Sequence, residues 1–300
     1  MDASLAQAVA LADDGGMLAV VGPTASGKTE LAVRLAERLG GEIISADSVQ
    51  IYRGFDIGSG KPTAEELGRA RHHLIDAKGP LEPVDAAAYA GLASAAIADA
   101  RARGKVPIVC GGTFLWVKAL LFGLLPAPPA SEEIRARHRE LAEREGRAAL
   151  HAKLEAIDPA AWKRLHPNDL VRVSRALEIH ELTGRAMSEQ QAEHAFATTR
   201  HPAHLVALAR DPAALTARIE ERVNLWLAAG WIDEVRALIA AGYGEARAMG
   251  SVGYREVRAH VQGGVPEKDL ALTIVRATRV FARRQRTWLN HAEVLWVAGD

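Results

Sequence analysis

The octapeptide Gly22-Pro23-Thr24-Ala25-Ser26-Gly27-Lys28-Thr29 follows an apolar run, Met17-Leu18-Ala19-Val20-Val21, and precedes a helical pattern, Leu31, Val33, Leu35 and Leu39. It reads G-x-x-x-x-G-K-S/T in the required setting of strand, loop and helix. Inward-pointing amide N–H groups of such a loop form a nest for phosphate oxygens. The following helix N-terminus adds partial positive charge. Lys28 supplies a full charge, and Thr29 is the residue placed to hold a Mg²⁺ that bridges phosphate oxygens. The loop therefore predicts a grip on a di- or triphosphate. It does not say whether a phosphate is transferred or merely leaves.

Around this loop the first third of the chain alternates between strand and helix. Strands are expected at 17–21, 42–46, 72–76 and 106–110, and helices at 28–39 and 86–103. That alternation predicts an α/β fold with a parallel sheet covered by helices, and a ligand at the carboxyl edge of the sheet. Past Gly123 the pattern changes. Pro126, Pro128 and Pro129 break the helix that starts at Phe114, and from Ser131 to about Phe196 only helical periodicity is visible. An all-helical insertion at 123–196 is expected, with 1–122 and 197–300 forming the core. A returning strand at 204–209, helices at 211–227, 231–241 and 266–289, and a short strand at 294–297 complete the reading.

Composition narrows the partners. The 300 residues are 49% hydrophobic with formal net charge zero, so no global field draws the chain to nucleic acid, and any such contact must come from local patches. Cys110 is the only cysteine and sits in an apolar run, which predicts a buried small hydrophobe. No disulfide framework or Cys/His zinc spacing exists. His72, His73 and His166 read as structural or loop residues. No stretch approaches the ~20 apolar residues of a membrane span, and a cytoplasmic monomer is expected.

Asp47, in Ser45-Ala46-Asp47-Ser48, falls just past the second strand, on the same sheet edge as the phosphate loop. A carboxylate there can act as a base or steer a metal-bound water. It can equally cap a helix, and spacing alone leaves both open.

The following segments run in order along nearly the whole chain: GPTASGKT at 22–29, ISADSVQIYRGFDIGSGKP at 44–62, HHLID at 72–76, GGTFLW at 111–116, HPNDLVRVSRALE at 166–178, RIEERV at 218–223, VGYRE at 252–256 and RRQRTW at 283–288. Together they resemble the tRNA dimethylallyltransferase family. The resemblance implies a P-loop NTPase-like core with a helical insertion, use of Mg²⁺, and transfer of a dimethylallyl group from its diphosphate to N6 of the adenosine beside the anticodon. It assigns Asp47 as general base, Thr24 as a diphosphate contact near the breaking C–O bond, and Arg222 as a further diphosphate contact. It also implies tRNA contacts at Asp47, Ser48, Val49, Gln50, Thr113, Arg135, Val171, Arg172, Val173, Ser174, Arg175, Gly253, Tyr254, Arg255, Arg279, Arg283 and Arg286. Trp116 stands where many family members have Tyr, so packing is expected to survive while a hydroxyl contact is lost.

Spacing adds its own evidence for RNA. Arg276, Arg279, Arg283 and Arg286 are three, four and three apart, which puts them on one helical face, and no acid falls between Asp269 and Glu293. Such a stripe fits a phosphate backbone, or is simply a solvated face. The rival readings are a prenyltransferase acting on free adenine nucleotide, a small-molecule kinase, and a nucleotide-gated RNA-binding module. The helical insertion and the arginine stripe favour tRNA, since a nucleotide needs neither.

Overall fold

The computed structural model describes residues 3–13, 16–125, 127–194, 199–290 and 292–298. Pro126 and Phe196 lie outside the described residues. The chain divides into two compact units, Met1–Phe122 with Thr199–Asp300, and Gly123–Thr198.

The first unit is built on six parallel strands, β1 (Met17–Val21), β2 (Glu42–Ser45), β3 (His72–His73), β4 (Pro107–Gly111), β5 (Ala203–Ala209) and β6 (Val294–Ala298), in the order β3-β2-β4-β1-β5-β6. β1 pairs with β4 on one side and β5 on the other, Val20 opposite Cys110 and Val206. Every residue of β1, β2 and β4 is buried; β1 and β4 accordingly read as apolar runs, while β2 also buries Glu42, paired with Arg103 and His73, and Ser45. The register brings the loops after β1, β2 and β4 to one edge, so the phosphate loop, Asp47 and Gly112-Thr113 become neighbours.

Helix Lys28–Leu39 starts after Gly27 (φ 97°) and stops at Gly40 (φ 58°), with Leu31, Ala32, Val33, Leu35 and Ala36 buried. Both glycines occupy left-handed backbone that other residues rarely adopt. The third strand is shorter than the expected 72–76. Leu74 (φ 63°) and Asp76 (φ 53°) turn left-handed and end it, and Asp76 is held by the Lys61 ammonium, which also pairs with Asp56 at 2.5 Å. Helix Ala3–Asp13 was not expected, because an alanine-rich segment shows little amphipathic contrast. Its Leu5 and Ala8 nonetheless join the core with Leu31, Val206 and Val297. Trp116 is buried and stacks on Tyr89, centroids 4.4 Å apart, so the expected packing is present.

The second unit contains helices Glu132–Glu145, Arg147–Ala152, Leu154–Ile157, Pro159–Arg164, Leu170–Thr183 and Met187–His194. Ser131 caps the first through the Ile134 amide at 3.4 Å. The core of this unit gathers Leu150, Leu154, Val173, Leu177 and Ile179.

Candidate functional site

The carboxyl edge of the sheet opens into a cavity of about 300 Å³. Thr24, Asp47, Gly112, Thr113, Arg222, Trp226 and Gln285 all line it, and every one belongs to the first unit.

The phosphate loop is shaped by its backbone. Ala25 takes φ 64° and Gly27 φ 97°, the alternation that turns successive N–H groups inward. Two arginines hold the loop from outside. Arg218 donates from Nε to the Ala25 carbonyl at 3.0 Å, and Arg210 donates likewise to the Ser26 carbonyl at 2.9 Å. Inside, Arg222 on helix Pro212–Ala228 donates from Nη2 to the Thr24 hydroxyl at 2.5 Å. Its Nε is buried with no hydrogen-bond partner, and so is the Ser26 hydroxyl. A buried donor without an acceptor costs about 1–3 kcal/mol, so two of them beside a phosphate loop mark a place for an anion.

The charges agree with this. Burial holds the Lys28 ammonium below its ordinary value; Cys110 and Asp47 oppose that shift and the Arg222 guanidinium adds to it. Burial also lowers Arg222 to about 10, with Asp47 opposing and Arg218 adding. An incoming polyanion reverses the penalty on both cations. Cys110 is buried beside the Lys28 carbonyl, and burial pushes its thiol up to about 12, so it is inert as a nucleophile at neutral pH.

Asp47 starts a turn, not a helix, so the helix-cap alternative falls away and it stands as a site residue. Its Oδ1 accepts the amide N–H groups of Val49 (2.9 Å) and Gln50 (3.3 Å), which fixes the carboxylate at the cavity wall. The Ser48 amide donates to the Thr113 hydroxyl at 3.1 Å, and Thr113 in turn donates to the Ser48 hydroxyl at 3.3 Å. The Gln50 amide donates to the Ser59 and Gly60 carbonyls at 3.3 and 2.8 Å, pinning the loop that crosses this edge. At Gly111 an added Cβ would overlap the Ala46 carbonyl, so close backbone approach decides that glycine.

Gln285 is a site residue that sequence reasoning did not single out. Its Oε1 accepts the Thr24 amide at 2.8 Å, and its Nε2 donates to the Gly112 carbonyl at 2.9 Å. One buried side chain on helix Glu267–Leu289 thus sets the spacing between the phosphate loop and the loop after β4. A signal existed: a glutamine interrupts the buried stripe Leu270, Ile274, Thr278, Ala282, Leu289.

The remaining expected contacts fall in different settings. Arg276, Arg279, Arg283 and Arg286 are all exposed on helix Glu267–Leu289, and no ion pair among the described residues involves them. Gly253 precedes Tyr254, which is fully buried with its hydroxyl donating to Glu234 at 2.6 Å; burial, with Glu234 adding, raises that phenol far above its ordinary value. Arg255 is spent on Glu256. Arg222, anonymous among the arginines of the sequence, is the basic group that the fold carries inward.

In the second unit, Val171 is 80% exposed and Arg172 lies 3.6 Å from Asp169. Val173 and Ser174 face that unit's interior. Arg135 and Arg175 both bind the fully buried Glu178, at 3.0 and 2.5 Å. Burial pushes the Glu178 carboxyl up, but hydrogen bonds from Arg135, Arg175 and the Ser131 amide outweigh it and hold the group below its ordinary value.

Among the described residues no cluster of three or more His, Cys, Asp or Glu side chains could hold a metal. A small hard cation is commonly held by one or two protein oxygens plus ligand phosphates, and the Thr29 hydroxyl beside the anion cradle fits that pattern.

Comparison with known proteins agrees with this geometry. Residues 50–292 match the family model described as IPP transferase. The chain is 64% identical over 284 residues to a tRNA dimethylallyltransferase of Sorangium cellulosum, covering 95% of this chain and 90% of the relative. It is 51% identical to one of Anaeromyxobacter dehalogenans, covering 94% of each. Among solved structures it is similar to a tRNA isopentenylpyrophosphate transferase of Bacillus halodurans (TM-score 0.70, 38% identity, covering 94% of this chain and 89% of that one). A eukaryotic dimethylallyltransferase acting on tRNA shares the fold (TM-score 0.78, 24% identity, covering 94% and 73%).

Proposed function

The chain belongs to the IPP transferase family and is a tRNA prenyltransferase, and we propose that its cavity moves a dimethylallyl group from dimethylallyl diphosphate to N6 of the adenosine beside the anticodon, releasing diphosphate. The observation that carries this reading is Arg222 on the Thr24 hydroxyl in the cavity wall, beside the Lys28 phosphate loop, with unsatisfied polar atoms at Arg222 Nε and Ser26 Oγ and with Asp47 in the same cavity.

An adenine amine is a poor nucleophile because its lone pair is delocalised into the ring. Asp47 accepts the N6 proton as the N6–C1 bond forms, a contribution of about 10²–10⁴-fold. The C1–O bond breaks and its electron pair leaves with the diphosphate. Lys28, Arg222, Thr24 and the loop amides stabilise that charge from fixed positions. Thr29 would hold Mg²⁺ together with the phosphates, and the ion would neutralise part of the leaving group's charge. The apolar residues Val223, Trp226, Val252, Ile274 and Phe281 form the dry wall on which the alkyl group rests.

The target adenine leaves its stack to reach Asp47. The exposed arginines at 276, 279, 283 and 286 meet the anticodon-loop phosphates. In the helical unit the exposed Val171 and Arg172 offer the tRNA surface, whereas Val173 and Ser174 are buried and Arg135 and Arg175 are held by Glu178, so these four expected contacts serve the packing of that unit. Among the described residues no helix is long and apolar enough to cross a membrane, and we place the working enzyme in the cytoplasm as a monomer.

The test is to supply labelled dimethylallyl diphosphate with unmodified tRNA, AMP or ATP. Label in tRNA alone is expected. Label in AMP or ATP would assign the site to free nucleotide, and no label anywhere would remove the prenyl-transfer reading.

A further inference from the structure

The cavity has a fixed back wall one guanidinium away from the phosphate loop. Arg222 touches Thr24 through Nη2 at 2.5 Å, and its Cζ sits 4.5 Å from the centroid of the Trp226 ring. An alkyl group leaving the anion cradle along Arg222 therefore meets an indole within its first few carbons.

That indole is half-buried and is braced by its neighbours. Trp226 meets Trp231 edge to face, with centroids 5.5 Å apart at 87°. Trp231 is buried and meets the buried Tyr254 in the same way, at 5.5 Å and 82°, and Tyr254 meets Phe55 at 5.0 Å. The slot holding the two indoles is walled by glycines. A Cβ on Gly60 would lie 2.8 Å from Trp226, and a Cβ on Gly58 or Gly253 would overlap Trp231. Close-packed interiors resist displacement. Phe281, on the same cavity, is 38% exposed and so is free to yield towards solvent, whereas the half-buried Trp226 is braced by Trp231, Gly60 and the Arg222 guanidinium.

Resting on the prenyl-transfer reading above, we propose that Trp226 sets the length of the transferred group, admitting one five-carbon unit and rejecting the ten-carbon allylic diphosphate. The second isoprene unit of a geranyl chain needs the volume that the indole fills. The cavity of about 300 Å³, at the low end for a ligand pocket, must already admit the dimethylallyl tail beside the adenine. The bond changes are the same for either donor: C1–O breaks, N6–C1 forms, the N6 proton goes to Asp47 and diphosphate leaves.

The experiment offers unmodified tRNA an equimolar mixture of dimethylallyl and geranyl diphosphates and weighs the modified nucleoside by mass spectrometry. One methylene in an apolar pocket changes selectivity by about 10–200-fold, so the wild-type enzyme is expected to favour the five-carbon donor by at least ~100-fold. Trp226→Leu and Trp226→Ala are expected to lower that ratio by at least ~10-fold, the alanine variant more. A ratio unchanged in both variants, with dimethylallyl transfer still measurable, overturns the proposal. Should both variants lose turnover, calorimetric Kd values for the two diphosphates replace the product ratio, and unchanged discrimination overturns it equally. A wild-type enzyme that transfers neither group to tRNA removes the functional reading itself; one that transfers both equally well removes only this assignment.

Discussion

Two pairs of basic residues in this molecule behave oppositely. In the helical unit, Arg135 and Arg175 converge on Glu178, a carboxylate of zero exposure, and every charge has its partner. In the core unit, Arg222 and Lys28 are buried around the phosphate loop with an unsatisfied Nε on the arginine, and among the described residues their hydrogen bonds go only to a hydroxyl and a carbonyl, with no carboxylate. The first cluster is complete without a ligand and holds the fold of its unit. The second is incomplete, and its missing component is an anion. The partner of an arginine, rather than its position in a motif, separates structure from function here.

Breaking each side of this contrast gives distinct signatures. The largest effect is expected from Asp47→Ala. Single-turnover transfer to tRNA falls by about 10³-fold, within the range for a lost general base, while tRNA binding measured by filter retention stays within threefold of wild type, "within threefold" being an order-of-magnitude bound of about 0.6 kcal/mol. Near-normal rates would remove Asp47 as the base. Next comes Glu178→Ala, which strands two arginines in the helical unit. Removing one side of a buried ion pair costs about 3–5 kcal/mol, read as a lower urea midpoint, whereas pyrophosphate affinity stays unchanged. Parallel loss of both properties would erase the contrast.

Gln285→Ala is the finer probe. It frees the Thr24 amide and the Gly112 carbonyl together, so kcat is expected to fall about tenfold while KM for tRNA holds, because positioning at the cradle is lost and the RNA surface is not. An equal rise in KM with kcat intact would make Gln285 a binding residue instead. The smallest effect concerns pH. Burial lowers the Lys28 ammonium below its ordinary value and the Arg222 guanidinium to about 10 in the empty enzyme, and a bound polyanion raises both. Binding then takes up protons where these cations titrate, so pyrophosphate affinity falls as pH rises through about 10. Calorimetry in buffers of different ionisation enthalpy checks the proton uptake, and a flat affinity from pH 9 to about 10.5 would contradict it.

The sheet was legible in sequence because β1 and β4 are buried and announce themselves as apolar runs, with the Ile43-Ile44 pair of β2 between them in the alternation of strand and helix. The phosphate loop was legible because its chemistry is local: positive φ at Gly27, a lysine and a threonine at the helix start. Asp47 could be placed on the active edge but not assigned between helix cap and base by spacing; the structure has no helix directly after it, and one oxygen of its carboxylate instead accepts the Val49 and Gln50 amides of a turn. Gln285 and Trp226 were hidden for a different reason. Gln285 reaches Thr24 across 261 residues of chain, and Trp226 is walled by the distant Gly60, with Gly58 and Gly253 walling its neighbour Trp231. No local pattern encodes a contact of that kind. The premature end of β3 was also hidden, because left-handed Leu74 is stabilised by its surroundings and not by its own preferences.

The central claim is that the Arg222 corner of the cavity is an anion site waiting to be filled. Isothermal titration of inorganic pyrophosphate into the wild-type, Arg222→Met and Glu178→Gln proteins addresses it directly. The account predicts saturable one-site binding in the wild type, weakened by about 10²-fold in Arg222→Met and retained in Glu178→Gln. Pyrophosphate that bound Arg222→Met as tightly as wild type would contradict it.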